Sequence, residues 1–308
     1  MPSQTPRRCA QKPHWLRRKL PTGTEYEKVR HLIRDGQLHT VCQEAACPNQ
    51  FECFSSRTAT FLIMGDRCTR NCRFCNISEG PQAPLDPDEP QRVAAAAAKM
   101  GLRYVVVTSV TRDDLPDGGA AHFAATIRAL HSKIDGVKVE VLIPDLLGDA
   151  DALATIIEAG PEVLNHNVET VPRLYPNVRP QADYRRSLTL LERVARHPAG
   201  IPAKSGLMLG LGETRTEVEA TLADIHATGC RILTLGQYLQ PTKAHLPVAR
   251  YVPPEEFEAL GERAKEMGFV QVASGPFVRS SYHAREVFEH MESAGQSPTG
   301  GDPPQAPE

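Results

Sequence analysis

Apolar runs, many of them β-branched, recur along this chain and alternate with segments of helical spacing. Six runs read as buried strands: Phe61–Met64, Tyr104–Thr108, Val137–Ile143, Val163–Val168, Gly206–Leu209 and Ile232–Leu239. Their near-continuous apolar content is that of strands covered on both faces. Between them lie helical segments at Gln91–Met100, with five consecutive alanines, Ala120–Ser132, Ala150–Ala159, Tyr184–Ala195 and Glu217–Thr228. Gly101, Gly160 and Gly229 stand where a left-handed residue ends a helix. Six strand–helix units in series predict a parallel sheet with right-handed crossovers. A full or partial (β/α) barrel and an open doubly wound sheet both satisfy that pattern. A further helix near Pro254–Met267 and a short strand near Phe269–Ala273 extend the core.

The two ends of the chain break this pattern. The arm to about Gly23 is rich in Pro and Arg, and the stretch from Ser293, SAGQSPTGGDPPQAPE, lacks apolar periodicity and reads as a disordered tail. The division is therefore residues 1–57 as an arm with a cysteine-bearing segment, 58–288 as the barrel with a C-terminal extension, and 289–308 as tail. The 308 residues would suit two domains, but a single barrel of alternating strands and helices reaches about 250 residues. With 41% hydrophobic and 23% charged residues the composition is ordinary for a globular protein. A net charge of -2 gives no field that favours nucleic acid or a membrane surface. No apolar run approaches the roughly 18 residues of a membrane span. The N-terminus is basic but has no apolar signal core, and Pro2, Pro6 and Pro13 interrupt an amphipathic helix. The chain reads as cytoplasmic, with a mitochondrial location as the alternative.

Cysteine placement changes the picture most. Six of the eight fall in two triplets, Cys42, Cys47, Cys53 and Cys68, Cys72, Cys75. Each triplet is odd, whereas disulfides use pairs and a closed zinc site takes four ligands. In a reducing compartment, clustered thiols bind metal. The C-x3-C-x2-C loop directly follows the first strand, and its three thiolates would reach three corners of a four-iron cluster, leaving one iron open. Zinc would need a fourth ligand such as His39 or His166. Arg67, Arg70, Asn71 and Arg73 surround the triplet, which is no core sequence. Cys9 reads as incidental to the arm and Cys230 as a core residue.

Other strand ends carry polar residues too. Asn165, His166, Asn167 and Glu169 close a buried strand, as a pocket would require. Thr108 and Ser109, with Asp113, Asp114 and Asp117 beyond them, sit similarly after the second strand, where turn and N-cap chemistry is the alternative reading. Gly206, Gly210 and Gly212 precede Glu213. They suit either a close backbone approach to a flat ligand or a tight turn with Glu213 in the first helical turn.

The C-x3-C-x2-C motif with Phe74 before its last cysteine resembles the signature of the radical S-adenosylmethionine (SAM) enzymes. The resemblance implies a partial (β/α)6 TIM-type barrel, with extensions at both ends carrying an auxiliary cluster. It also implies a 4Fe–4S cluster on Cys68, Cys72 and Cys75 whose open iron takes SAM. Thr108, Ser109, Asn165, Asn167, Glu169, Gly206, Gly210 and Glu213 would then contact that cofactor. The upstream C-x4-C-x5-C narrows the match, because it resembles the lipoyl synthase family. The arm's Lys12-Pro13-His14-Trp15-Leu16, Gly236-Gln237-Tyr238-Leu239-Gln240-Pro241-Thr242 and Val278-Arg279-Ser280-Ser281-Tyr282-His283-Ala284 match that family as well. The likeness spans roughly residues 12–288.

That family pattern implies a second 4Fe–4S cluster on Cys42, Cys47, Cys53 and Ser281. Without it, Ser280 and Ser281 would read as the N-cap of a helix containing Glu286–His290. The implied enzyme is a sulfurtransferase that inserts two sulfurs at C6 and C8 of a protein-bound octanoyl-lysine. The auxiliary cluster would be the sulfur donor. No catalytic acid–base group is implied: a radical generated from SAM at the first cluster does the work, and no triad or carboxylate pair stands out. The implied partners are octanoylated carriers, namely 2-oxoacid dehydrogenase E2 subunits and the glycine cleavage H protein. An electron donor such as ferredoxin or flavodoxin and cluster-repair proteins are implied too. A different radical sulfur inserter, of the biotin synthase or methylthiotransferase kind, and a non-enzymatic zinc module are the rival readings.

Overall fold

The computed structural model describes residues 12–17, 24–55 and 58–281, together with 284 and 286. Helix α1 (Thr24–Asp35) buries Val29 and Ile33 and is followed by strand β1 (His39–Thr40), α2 (Val41–Glu44) and α3 (Gln50–Ser55). Tyr26 of α1 stacks on Phe51 of α3 with ring centroids 5.0 Å apart, which joins the two helices. Strand β2 (Thr60–Ile63) is buried along its whole length. The cysteine loop follows, closed by short strands β3 (Arg67–Cys68) and β4 (Ser78–Glu79).

From there helices and strands alternate as expected: α4 (Glu89–Met100), β5 (Tyr104–Ser109), α5 (Ala120–Lys133), β6 (Lys138–Leu142), α6 (Ala150–Glu158) and β7 (Val163–Asn165). After α7 (Tyr175–Val178) come α8 (Tyr184–Arg196), β8 (Ala203–Leu209), α9 (Arg215–Ala227), β9 (Ile232–Gln237), α10 (Pro254–Glu266) and β10 (Gln271–Gly275). The sheet order is β1-β2-β5-β6-β7-β8-β9-β10. β1 is antiparallel to β2 and every other pairing is parallel. The helices α4, α5, α6, α8 and α9 are the crossovers of the partial barrel. Gly101, Gly160 and Gly229 take the positive φ expected at helix ends.

Several boundaries differ from the sequence reading by a few residues; β8 starts at Ala203 and not Gly206, and β9 ends at Gln237 and not Leu239. Two further differences change the pairing. The strand expected to reach Val168 leaves its ladder after Asn165, and pairing resumes at Glu169, whose N–H donates to Gly206 O at 2.9 Å. Asn167 and Val168 bulge between these points, and Glu169 has φ 71°. The last short strand lies at Gln271–Gly275 and pairs with β9 over its full length, adding a seventh parallel strand.

Alternation along the strands divides two apolar layers. Val105, Val107, Val139, Val141, Leu164, Leu233 and Leu235 join the main core under the helices. Tyr104, Val106, Val163 and Ile232 line the opposite, concave face and meet Ala284 of the returning chain. That face also holds a buried ion pair. Lys204 Nζ donates to Glu140 Oε1 at 2.8 Å, and Tyr104 OH donates to Glu140 Oε2 at 2.7 Å. Removing one partner of such a pair strands a buried charge. Lys204→Met is therefore expected to cost about 3–5 kcal/mol in urea unfolding. Adding Glu140→Gln should recover most of it, and a single change no worse than the double would contradict the pairing.

Candidate functional site

The C-x3-C-x2-C loop sits at the C-terminal end of β2, the end at which barrels of this kind build their active sites. The chain leaves β2 through Met64 (φ 68°), whose N–H donates to the buried Glu89 Oε2 at 2.9 Å. His122 Nε2 lies 2.7 Å from the same oxygen. Arg70, inside the loop and 4% exposed, is clamped from two neighbouring strand ends. Its Nε and Nη2 donate to Asp113 at 2.6 and 2.9 Å, and Nη2 donates to Asp145 at 2.6 Å. Thr69 Oγ1 donates to Thr111 O at 3.0 Å and accepts from Asp113 N at 3.2 Å. On the other side Arg73 N donates to Val178 O at 2.9 Å, and His245 Nε2 lies 2.9 Å from Cys75 O.

Among the described residues no three His, Cys, Asp or Glu side chains are grouped as a metal ion would require, but the surroundings of the individual sulfurs in this loop suit thiolate ligands. Cys68 Sγ accepts N–H bonds from Arg70 at 3.4 Å and Thr111 at 3.3 Å. Burial pushes the Cys75 thiol up to about 12, with Cys72 and Cys68 adding to the rise. Burial also raises Cys72; Arg179 opposes the rise and Cys68 adds to it. Thiols so crowded and desolvated do not ionise alone, whereas a cationic iron cluster makes thiolates the stable form. The N–H groups on Cys68 are the outer donors that such a thiolate needs. The histidines named as a fourth zinc ligand are committed elsewhere. His166 has Nδ1 2.9 Å from Ile143 O and Nε2 3.0 Å from Ser187 Oγ, and burial lowers it to about 4. His39 Nδ1 lies 3.1 Å from Glu44 Oε1.

Polar atoms without partners gather on the same rim. Ser109 Oγ, Asn165 Oδ1 and Asn167 Oδ1 are buried and unpartnered within the protein. A Cβ added at Gly206 would collide with the Thr234 hydroxyl and lie 2.9 Å from Asn167 Oδ1. These are the marks of a cradle for a polar ligand that brings its own donors, and SAM fits them. Glu169 faces this region, with burial raising its carboxyl and Arg179 opposing the rise. Thr108 differs from its neighbours, since its hydroxyl donates to Leu142 O at 2.8 Å. Glu213 also departs from one reading of the sequence. It precedes α9, whose N-cap is Thr214, and accepts from Gly210 N at 2.5 Å and Leu211 N at 2.9 Å. It shapes the glycine loop instead of opening the helix.

Of the first triplet, Cys42 lies in α2, Cys47 in the connection that follows and Cys53 in α3. Thr40 caps α2 by accepting from Gln43 N at 3.3 Å, which sets Cys42 one residue into the helix. Cys47 N donates to Cys42 O at 3.2 Å, and Cys53 N donates to Asn49 O at 2.9 Å. Burial raises the Cys42 thiol to about 12, the neighbouring Cys47 adds to this, and hydrogen bonds from Thr60 oppose it. Thr60 Oγ1 also donates to Ser281 Oγ at 2.8 Å. The distant serine therefore stands beside the first triplet, 221 residues from its partner in the chain. Ser280 points elsewhere, accepting from Asn167 Nδ2 at 2.9 Å. Asn49 Nδ2 fastens the same returning segment through Phe277 O at 2.7 Å. The helix that would have made these serines caps lies mostly outside the described residues, as does Cys9. Cys230 is buried and its thiol donates to Ala203 O at 3.2 Å, as a core residue would.

Comparison with known proteins identifies the family. Residues 62–225 match the model of the radical SAM superfamily, and residues 4–47 match that of the N-terminal domain of lipoyl synthase. A lipoyl synthase from Desulfotalea psychrophila is 59% identical over 92% of this chain and 95% of its own. One from Methylococcus capsulatus is 57% identical over 89% and 85%. The chain belongs to the lipoyl synthase family. It is a radical SAM enzyme of sulfur insertion, and its first cofactors are SAM and a 4Fe–4S cluster. Solved structures match at fold level. Methylornithine synthase gives a TM-score of 0.51 at 14% identity, covering 78% of this chain and 82% of that one. The hydrogenase maturase HydG gives 0.52 at 17%, covering 85% and 63%.

Sequence reading passed over Arg70, Asp145, Thr60 and Arg179 as members of the site. Arg70 and Asp145 are 75 residues apart, and no local spacing joins them. Arg70→Met is expected to destabilise the protein at neutral pH by up to about 3–5 kcal/mol, because Asp145 is then left buried with only the longer Arg186 contact at 3.3 Å. Arg70→Lys should recover little, because the fork is lost. Burial raises the Asp145 carboxyl, but Arg70 outweighs it and holds the group below the ordinary range. The stabilisation is therefore present above the ordinary aspartate range and is lost as pH falls through the lowered value. Unfolding curves of wild type and variant should converge in acid, and a constant gap would contradict the pairing.

Proposed function

We propose that the chain converts an octanoyl group, amide-linked to a lysine of a carrier protein, into the lipoyl cofactor, using two 4Fe–4S clusters with separate duties. When bound, the cluster on Cys68, Cys72 and Cys75 supplies with SAM the radical that takes hydrogen from C6 and C8, and the cluster on Cys42, Cys47, Cys53 and Ser281 supplies the sulfur. C6 and C8 are unactivated, so no protein base can deprotonate them, and the protein's task is to hold, orient and exclude water. Ser109, Asn165, Asn167, Glu169, Gly206 and Gly210 form the SAM cradle, with Thr108 and Glu213 fixing the backbone beneath it. Ser281 is the hard donor among soft sulfurs, hence the weak corner of a cluster that must open to give up sulfide.

The observation that supports this reading most is that Ser281 pairs with Thr60, a neighbour of Cys42, while Ser280 pairs with Asn167. It favours lipoyl synthesis over another radical sulfur insertion, because the serine and the upstream triplet belong to that one family pattern. The carriers are 2-oxoacid dehydrogenase E2 subunits and the glycine cleavage H protein. A ferredoxin or flavodoxin supplies electrons, and repair proteins rebuild the spent cluster. Among the described residues no helix is long and apolar enough to cross a membrane. We place the reaction in the cytoplasm.

Ser281→Ala is expected to keep part of the SAM cleavage, read as 5′-deoxyadenosine, and to stop sulfur insertion. Mass spectrometry of an octanoyl-lysyl peptide reads the product. Unchanged lipoyl product from this variant would sink the serine assignment.

A further inference from the structure

The loop after β6 holds two consecutive leucines in the left-handed region, Leu146 at φ 47° and Leu147 at φ 52°. This conformation crowds the Cβ of an L-residue, and glycine would adopt it freely. The surroundings impose it. Asp145 Oδ1 accepts from Leu147 N at 3.2 Å, and Gly148 N donates to Asp145 O at 2.8 Å. Leu146 is turned inward at 4% exposure, while Leu147 is turned outward at 56%. Val270, at 54%, is the other large apolar side chain so exposed among the described residues, and it lies at the opposite end of the strands, just before β10.

Leu147 borders a hollow of about 390 Å³ lined also by Leu115, Pro116 and Leu146. Arg193, whose Nη1 donates to Gly148 O at 2.7 Å, and Asp149 edge the turn with charge. An exposed leucine alone is ordinary. A leucine held in a strained backbone so that it stands over a hollow on the active rim is not. The turn is also tied to the cysteine loop, since the Asp145 carboxylate that holds it is the one that clamps Arg70 at 2.6 Å.

We propose that the Leu147 turn, with Leu115 and Pro116, is the docking contact for the folded carrier domain that presents the octanoyl-lysine. This rests on the proposed function, and the occupant follows from it. The reacting carbons hang from a side chain of the carrier, so the carrier's own surface must meet the C-terminal rim. The turn lies on that rim at the end of β6, next to the loop after β5 that clamps the cysteines. An apolar anchor edged by charge is the usual form of such a contact.

The test compares two substrates of the full-length enzyme, an intact octanoylated carrier domain and a short octanoyl-lysyl peptide. Leu147→Gly removes the side chain and relieves the backbone, so folding is preserved, and Leu147→Asp adds a charge. Both are expected to raise KM for the carrier by about tenfold or more, while peptide kinetics, uncoupled SAM cleavage and the mass of the protein in solution stay at the wild-type values. Val270→Asp should alter neither substrate. An unchanged KM for the carrier overturns the proposal. Equal losses on carrier and peptide overturn it too, because the turn would then serve the site itself. A change in oligomeric mass would give the surface to a second copy of the chain and also overturns it. If wild type makes no lipoyl product from the peptide, the proposed function fails instead.

Discussion

A thiol taken out of water resists ionisation, yet only a thiolate binds iron well. Cys42, Cys72 and Cys75 are all raised by burial, and their nearest cysteines raise them further. The protein does not relieve this with a full complement of cations. It relies on the metal to be the missing positive charge and spends its own groups on holding the sulfurs in place. Arg70 illustrates the point. It is next to the cysteines in the chain and opposes the rise at Cys72, but its guanidinium is held by Asp113 and Asp145, so its main contribution is position.

That constraint explains the different architecture of the two triplets. The second lies on one loop, at the rim where parallel strands present their C-terminal ends, with the buried oxygens Ser109 Oγ, Asn165 Oδ1 and Asn167 Oδ1 nearby without partners within the protein. In the proposed assignment it can be short because its fourth position would belong to a ligand. The first is spread over two small helices and is reached by the far end of the chain through Thr60. Asn76 Nδ2 joins the two regions by donating to Glu44 O at 2.7 Å. The carrier-bound chain must reach both, which gives a reason for the strained Leu146–Leu147 turn to stand at the entrance and not elsewhere.

Much of this was legible in the sequence because it is local. Strand runs, helix spacing and terminal glycines report periodicity and φ preference, and the strands and helices lie close to where those patterns put them. The cysteine triplets were legible because their chemistry lies in residue type and short spacing. What could not be read were contacts between distant positions. The bulge at Asn167 and Val168 depends on pairing with β8, and nothing local in the sequence marks Asp145 as the partner of Arg70. Glu213 was ambiguous in one dimension, and backbone geometry resolves it, because its carboxylate closes on the amides of Gly210 and Leu211. Ser280 and Ser281 are adjacent and chemically identical, so only their opposite partners, Asn167 and Thr60, tell them apart.

The central claim is that the triplets hold two independent iron centres with different duties. Iron content and Mössbauer spectra of anaerobically prepared wild type test it most directly, alongside variants with one triplet at a time changed to alanine. Each variant should keep about half of the wild-type iron, as four-iron clusters require. The one lacking Cys68, Cys72 and Cys75 should lose SAM cleavage, and the one lacking Cys42, Cys47 and Cys53 should retain it. Loss of all iron from either variant, or stoichiometric zinc in place of iron in the wild type, would contradict the account.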